Sequence, residues 1–483
     1  MDLLQVKGKH IVDGDGKTVV LKGYCVGGWM NMENFINGYP GSEEGIRSAV
    51  AESIGKAKGE FFFDRMLDYV FAEDDVKFIK ETGANVVRLA LNYRHFEDDS
   101  RPFLYKESGF ARLDRALDLC EKYGVYVILD MHAVQGWQNT DWHCDNSSRH
   151  TLFWKHPHFQ ERFLALWQEF ARRYRGRAVV AGYDIMNEPI ANTWRGRFSN
   201  IYVPDWNNFN RIYRLTVESI RKYDPRHIIF LEGDNFSELF DGMEAPFDDN
   251  LVYSSHNYID AGFTGQYPGN IKSMKWSTGK EEMTWWDRKK QDQVFAEQEG
   301  TVFVKKHNVP YWMSEFGSVY NVPENEVSSR LASLDDQLGA FDDFGAQWTI
   351  WTYKDLGVMG SAILDPESDY MQIIKPVLQK KTLLNSDFGI YWLAVNRAKE
   401  IATELCDHIE QVINQPYVNT VTNRKYLGQA VFSEYTSVLL QPDFADRFKG
   451  MSEDRLDKVL ASFAFKNCKR NEGLVNVLKK HML

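Results

Sequence analysis

The sequence predicts a (β/α)8 TIM barrel with a loop insertion after strand 1 and a C-terminal helical extension. Eight short apolar runs alternate with longer amphipathic stretches. Most of those stretches close on Gly or on Asp-Pro. No Gly-rich dinucleotide turn follows the first run, which argues against an open doubly wound sheet. Repeated βα alternation puts parallel strands inside and helices outside, and eight units over about 350 residues close a barrel.

The first strand is expected at 19–27. A long insertion follows at 30–72; it opens on the turn 37-NGYPG-41 and is helical through 60-EFFFDRMLDYVF-71. Helix 73–83 leads into strand 85–91 (NVVRLAL), and helix 112–124 into 125–131 (VYVILDM). Helix 159–176 precedes strand 179–186, and helix 207–224 precedes 227–232 (HIIFLE). Strand 251–256 comes next. Helix 291–307 then leads into 309–314, and helix 330–345 into 346–352 (AQWTIWT). From about residue 381 the apolar periodicity is helical, over 391–413, 426–440 and 453–465. Ser452 is the expected N-cap of the last, with Glu453 and Asp454 favouring its positive end. Two units follow: a barrel over 1–380, and a helical region over 381–483 packed on it.

The chain has 483 residues, is 43% hydrophobic and carries a net charge of −11. Acidic and basic residues are mixed, and no basic stripe offers itself to nucleic acid. No apolar run is long enough to span a bilayer, and the N-terminus lacks a signal-peptide pattern. Five scattered Cys without a CxxC pair fit reduced thiols. The expected setting is therefore the cytoplasm. With 14 Trp and 23 Tyr, the chain has aromatics to spare for flat apolar ligand faces such as sugar rings.

The polar residues that interrupt apolar runs mark the site. The stretch 180-VAGYDIMNEPIANTWRG-196 runs apolar and stops on Asn187-Glu188-Pro189. Pro cannot donate into a ladder, so the strand ends there, with Glu188 at the barrel mouth. The seventh strand repeats the pattern in 311-YWMSEFG-317 with Glu315. Two glutamates at the ends of strands four and seven face one another across the axis. Paired carboxylates are what glycoside cleavage needs: one protonates the leaving oxygen, the other attacks the anomeric carbon. Arg88 on strand two is placed to pair with Glu315 and hold its carboxyl low. His132 follows strand three; His256 and Tyr258 follow strand six; Trp351 ends strand eight, an indole floor for a sugar ring. Asn187 is suited to the sugar 2-hydroxyl. Asp141, His143, Cys144, Asp145 and His150 have no recognised zinc spacing. No metal or cofactor is expected.

Together these motifs resemble glycoside hydrolase family 5: NVVRLALNY, LDMHAVQGWQN, YDIMNEP, SSHNY, SEFG and IWTYK, in order, over about residues 15–378. The resemblance implies Glu188 as acid/base and Glu315 as nucleophile of a retaining β-glycosidase. The run 23-GYCVGGWMNMENF-35 is similar to exo-acting members, which implies that Glu33 contacts the terminal sugar. The layout also looks like an intracellular β-glucosidase/β-mannosidase-type subgroup. It departs from the family pattern at Val134, where a Pro is usual, and at the insertion 139-NTDWHCDNSSRH-150, of a kind that narrows a site. The expected substrate is a small carbohydrate, a β-glucoside or β-mannoside cut from its end. Alternatives are endo-β-glucanase or mannanase action, an exo-β-1,3-glucanase, a glycolipid glycosidase entered past 61-FFF-63, or a non-catalytic sugar-binding barrel. Oligomeric state is not legible in the sequence.

Overall fold

The computed structural model describes residues 1–192, 202–275, 280–386, 397–414 and 434–482. Eight parallel strands form a closed barrel in sequence order. They are β1 Lys22–Val26, β2 Val86–Asn92, β3 Tyr126–Ala133, β4 Val180–Asp184, β5 Ile228–Glu232, β6 Leu251–His256, β7 Tyr311–Glu315 and β8 Gln347–Ile350. β8 closes on β1 through Trp348 opposite Lys22 and Ile350 opposite Tyr24. All eight expected strands are present.

Side chains alternate across each strand. On β2, Val87 and Leu89 face the helices and join the large outer core. Val86 faces inward and packs with Ile128, Ala181, Ile228, Phe230, Val252 and Trp312. The N-terminal hairpin, Gln5–Lys7 and His10–Val12, adds Leu4 and Ile11 to this cluster and plugs the barrel bottom. Arg88 shares the inward phase of Val86, so it stands one layer above the apolar plug, with its guanidinium 5.7 Å from the Trp312 ring.

The helices follow the expected order, with one difference. The stretch read as a single helix over 291–307 is two, Arg288–Glu297 and Glu299–His307. Gln298 breaks it with extended backbone and turns its side chain inward, where Nε2 donates to the His256 carbonyl at 2.8 Å. A hairpin that the apolar pattern does not announce, Gly269–Lys275 with Lys280–Trp286, follows β6. In the insertion after β1, Phe62 and Phe63 are buried, and Phe62 packs edge-on against Phe448 at 4.8 Å. That aromatic segment is core and not an entrance.

Helix Asp369–Leu384 follows the barrel, and then Arg397–Ile413, Thr436–Asp446, Glu453–Leu460 and Glu472–Met482. Residues 391–396 and 426–433 of the expected helices lie outside the described residues. Ser452 caps its helix as expected, its hydroxyl accepting from the Arg455 N–H. These helices hold the loops at the barrel mouth. Lys381 Nζ donates to the carbonyls of Asn34, Gly38 and Tyr39 at 3.2, 3.1 and 2.8 Å. Gln441 donates to the Pro40 carbonyl at 3.2 Å, and Arg149 of the 139–150 loop pairs with Glu434. Among the described residues, no helix is long and apolar enough to cross a membrane.

Candidate active site

The barrel mouth is built around Arg88, whose side chain is wholly buried. Its Nη2 lies 3.2 Å from Asp130, 2.9 Å from Asp184 and 3.0 Å from Glu232. The same nitrogen donates to Asn187 Oδ1 at 2.7 Å, and Nη1 to Glu315 Oε1 at 2.6 Å. One guanidinium thus ties strands two, three, four, five and seven together. Burying a cation is costly unless it is paired and hydrogen-bonded, and here every face of the fork is occupied.

Glu188 and Glu315 meet above it. One carboxylate oxygen of each and a ring nitrogen of His256 lie within 4.8 Å of one another. Glu315 Oε2 accepts from the Tyr258 hydroxyl at 3.0 Å. Glu188 Oε1 is 2.6 Å from His256 Nδ1, and Oε2 is 2.9 Å from His143 Nε2. The Glu188 backbone is left-handed, φ +43°, and its N–H donates to Glu232 Oε2 at 2.7 Å. A non-glycine residue there is strained, and the buried carboxylate of Glu232 holds it.

His132 Nδ1 is 2.7 Å from Asp130, and Nε2 is 3.3 Å from Asn187 Nδ2 and 3.7 Å from Glu33 Oε1. Its ring stacks on Trp351 at 5.1 Å and 8°. Trp351 closes the floor against Gly27, where a Cβ would stand 2.7 Å from the indole. Glu33 is 5% exposed. The structure therefore brings all nine expected residues, Glu33, Arg88, His132, Asn187, Glu188, His256, Tyr258, Glu315 and Trp351, into one cluster.

The charges are strongly coupled. Burial opposes protonation of His132, but Asp130 and Glu33 outweigh it and lift the imidazole to about 10. His256, among Glu315, Glu232 and Glu188, is likewise held well above its ordinary value against burial. Burial and the Glu232 charge push Asp184 far up, against Arg88. Burial resists ionisation of Glu188, but with His256 and His143 both charged their pull wins and its carboxyl falls well below the usual range. For Glu315 burial outweighs His256 and Arg88, so its carboxyl stands above the ordinary value. Arg88 pulls on Glu315 as the sequence suggests, but the net direction is opposite to that expected, because the site is dry.

Four residues of the site escaped sequence reading. Asp130, Asp184 and Glu232 lie in strands read as apolar; the signal was a carboxylate at an inward strand position, two residues before His132 in the case of Asp130. His143 lies in the 139–150 insertion. That insertion does not gather a metal set: Asp141 pairs with Arg149, Asp145 with Arg94, and Cys144 donates to the Asp141 carbonyl at 2.9 Å.

With the geometry in place, likeness to known proteins becomes informative. The model of Cellulase (glycosyl hydrolase family 5) matches residues 62–357. A protein named beta-xylosidase from Phanerodontia chrysosporium is 36% identical over 99% of this chain and 98% of its own. The chain belongs to glycoside hydrolase family 5. A more distant relative, endoglucanase C from Acetivibrio thermocellus, is 24% identical over 61% of this chain and 87% of its own. Among solved structures, an endogalactoceramidase superposes with a TM-score of 0.51 at 17% identity, covering 74% of this chain and 75% of that one. At that identity it speaks for the fold alone. This family 5 enzyme is a glycoside hydrolase on a TIM barrel, and its substrates are carbohydrates.

Proposed function

We propose that the enzyme is a retaining, exo-acting β-glycosidase with Glu188 as acid/base and Glu315 as nucleophile. The spacing of the two carboxylates carries the reading. One oxygen of each carboxylate lies within 4.8 Å of one of the other, which accords with the about 5 to 5.5 Å separation of direct attack and not with the about 6.5 to 9.5 Å of inversion. A Glu315 oxygen bonds to C1 as the C1–O bond breaks, and its electron pair goes to the leaving oxygen, which takes the proton of Glu188. Water then attacks C1 of the glycosyl-enzyme while Glu188 takes a proton from it, and the C1–O bond to Glu315 breaks, returning its electron pair to that carboxylate.

Exo action is supported by enclosure. The loops after β1 and β3 meet where Asn31 Nδ2 donates to the His143 carbonyl at 3.0 Å. Glu33, His132 and Trp351 are each at most 5% exposed. That fits one terminal ring better than a chain laid across a cleft. β-Glucosides and β-mannosides remain the expected sugars, and the relative named beta-xylosidase adds β-xylosides. A cytoplasmic setting accords with the buried thiols of Cys25, Cys120 and Cys144.

Initial rates on aryl β-glucoside, β-mannoside and β-xyloside, with the Glu315→Ala protein as blank, test the activity. Proton NMR of the first product should show the β-anomer. An initial α-anomer would overturn the mechanism; dominant internal cuts in soluble glucan or mannan would overturn exo action. Glu33→Ala should raise KM by about tenfold or more, the scale of losing a charge-assisted hydrogen bond to the sugar. An unchanged KM would remove Glu33 from the sugar site. Because burial lifts the Glu315 carboxyl, activity should fall on the acid side at a pH above the ordinary glutamate value of about 4.3. An acid limb at or below that value would contradict the dry setting.

A further inference from the structure

His143 is a polar side chain that the 139–150 loop delivers onto the pair, and it takes no part in the bonds made and broken by Glu188 and Glu315. Its protonation state is fixed by Asn139. The Asn139 amide cannot be flipped: Oδ1 accepts from the Asp141 backbone N–H at 2.9 Å, and Nδ2 donates to the Glu188 backbone carbonyl at 3.0 Å. Each of those backbone groups has only one role. The other Nδ2 hydrogen therefore faces His143 Nε2 at 2.7 Å. A protonated Nε2 would oppose donor to donor, so Nε2 is an acceptor and the ring is neutral. Glu188 Oε2 lies 2.9 Å from the same nitrogen. An ionised Oε2 would set lone pair against lone pair. The proton belongs on Oε2, the single Nε2 lone pair is shared between it and the Asn139 hydrogen, and Oε1 takes the other hydrogen bond, at 2.6 Å, from His256 Nδ1.

We propose that His143 is a positioning residue for Glu188, holding the resting carboxyl protonated on Oε2 and aimed at the glycosidic oxygen. The inference rests on the reading of Glu188 as the acid. No atom changes hands with His143 in the reaction. The Oε2–H bond breaks only when the leaving oxygen takes the proton, and the hydrogen bond to Nε2 is given up. The groups facing this pair are few. Around Glu188 stand His256, Glu315, Glu232 and Tyr258; around His143 stand Glu188, Asp141, Glu33 and His132, whose ring lies edge-on at 5.9 Å. A neutral His143 stabilises the protonated acid and withdraws one of the two imidazolium pulls that otherwise take the Glu188 carboxyl low, whereas a charged His143 would drive it to ionise. The two states of His143 thus shift the basic limb of the pH profile in opposite directions when the ring is removed.

The test compares His143→Ala, His143→Gln and Glu188→Ala with the parent on two glycosides of the sugar the parent prefers. One carries dinitrophenol, which leaves without help; the other carries an unsubstituted phenol, which needs the acid. His143→Ala should lose about tenfold or more in kcat/KM on the phenyl glycoside and less than about threefold on the dinitrophenyl one, a part of the 10²–10⁴ that acid catalysis supplies. Its basic limb should move to lower pH. His143→Gln, whose side-chain oxygen can accept, should recover part of both. Equal losses on the two substrates, or a basic limb moving to higher pH, would overturn the proposal. If the alanine variant melts early, the glutamine variant carries the comparison, and a nitrogen-15 imidazole shift in the intact parent at pH 7 reads the ring directly. An imidazolium signature there would also overturn it. Glu188→Ala separates the two readings. If it lacks leaving-group dependence, Glu188 as acid fails; if it has that dependence and His143→Ala does not, only His143 fails.

Discussion

Glu315→Ala should abolish hydrolysis, with kcat falling by roughly 10⁴-fold or more, the scale of losing a covalent nucleophile. The loss should be of chemistry and not of fold. Arg88 keeps Asp130, Asp184 and Glu232 as partners, so the barrel mouth stays closed when one carboxylate leaves. Removing a buried carboxyl also relieves like-charge crowding with Glu188. Azide added to the variant can enter the space left by the side chain and attack C1 itself, giving an α-glycosyl azide from a β-glycoside. Rescue by azide with that stereochemistry would place the nucleophile. A variant with near-parental rate, or a β-azide, would exclude the assignment.

Arg88→Met should cost about 3 to 5 kcal/mol of folding stability, the range for breaking a buried ion pair from one side. The size follows from what is stranded: three carboxyls with no exposed surface and Asn187 Oδ1, all converging on the lost fork. The cost should also depend on pH, with a definite sign. Without the guanidinium, Asp184, which burial and the Glu232 charge already raise, loses an opposing pull and binds its proton still more tightly folded than unfolded. A folded carboxyl raised above its unfolded value of about 4 stabilises at low pH and loses that contribution as pH rises through the raised value. The deficit relative to the parent should therefore be smaller at pH 5 than at pH 8. Denaturant melts at the two pH values measure it. Equal deficits would show that the carboxyls do not depend on Arg88 for their charge.

Those two residues also mark how far the sequence alone reaches. Parallel strands buried on both faces are continuous apolar runs, so the eight strands were legible, and Arg88, Glu188 and Glu315 stood out as interruptions. Asp130, Asp184 and Glu232 interrupt the same runs. They passed unnoticed because one inward carboxylate makes little sense until Arg88 is seen to face several strands at once. His143 had no periodicity to betray it, since its meaning lies in a contact between loops from different strands. The break at Gln298 was hidden for a similar reason. Nothing local ends a helix there; the side chain is drawn to the end of β6. The opposite sign of the Glu315 shift has the same origin, because dryness belongs to the assembled site and to no single motif.

The C-terminal helices have a consequence for engineering. Their contacts fall on both loops that enclose the sugar site: Lys381 and Gln441 on the segment after β1, and Glu434 on the one after β3. In shape the barrel looks like a portable module, but its rim is fastened from outside. A gene trimmed to the residues shared with compact relatives would take the Lys381 and Gln441 donors from the Gly38, Tyr39 and Pro40 carbonyls. Swapping this barrel into a chimera thus means transplanting its brace with it, and libraries aimed at new sugars gain more from varying the brace and loops together than from varying the loops alone.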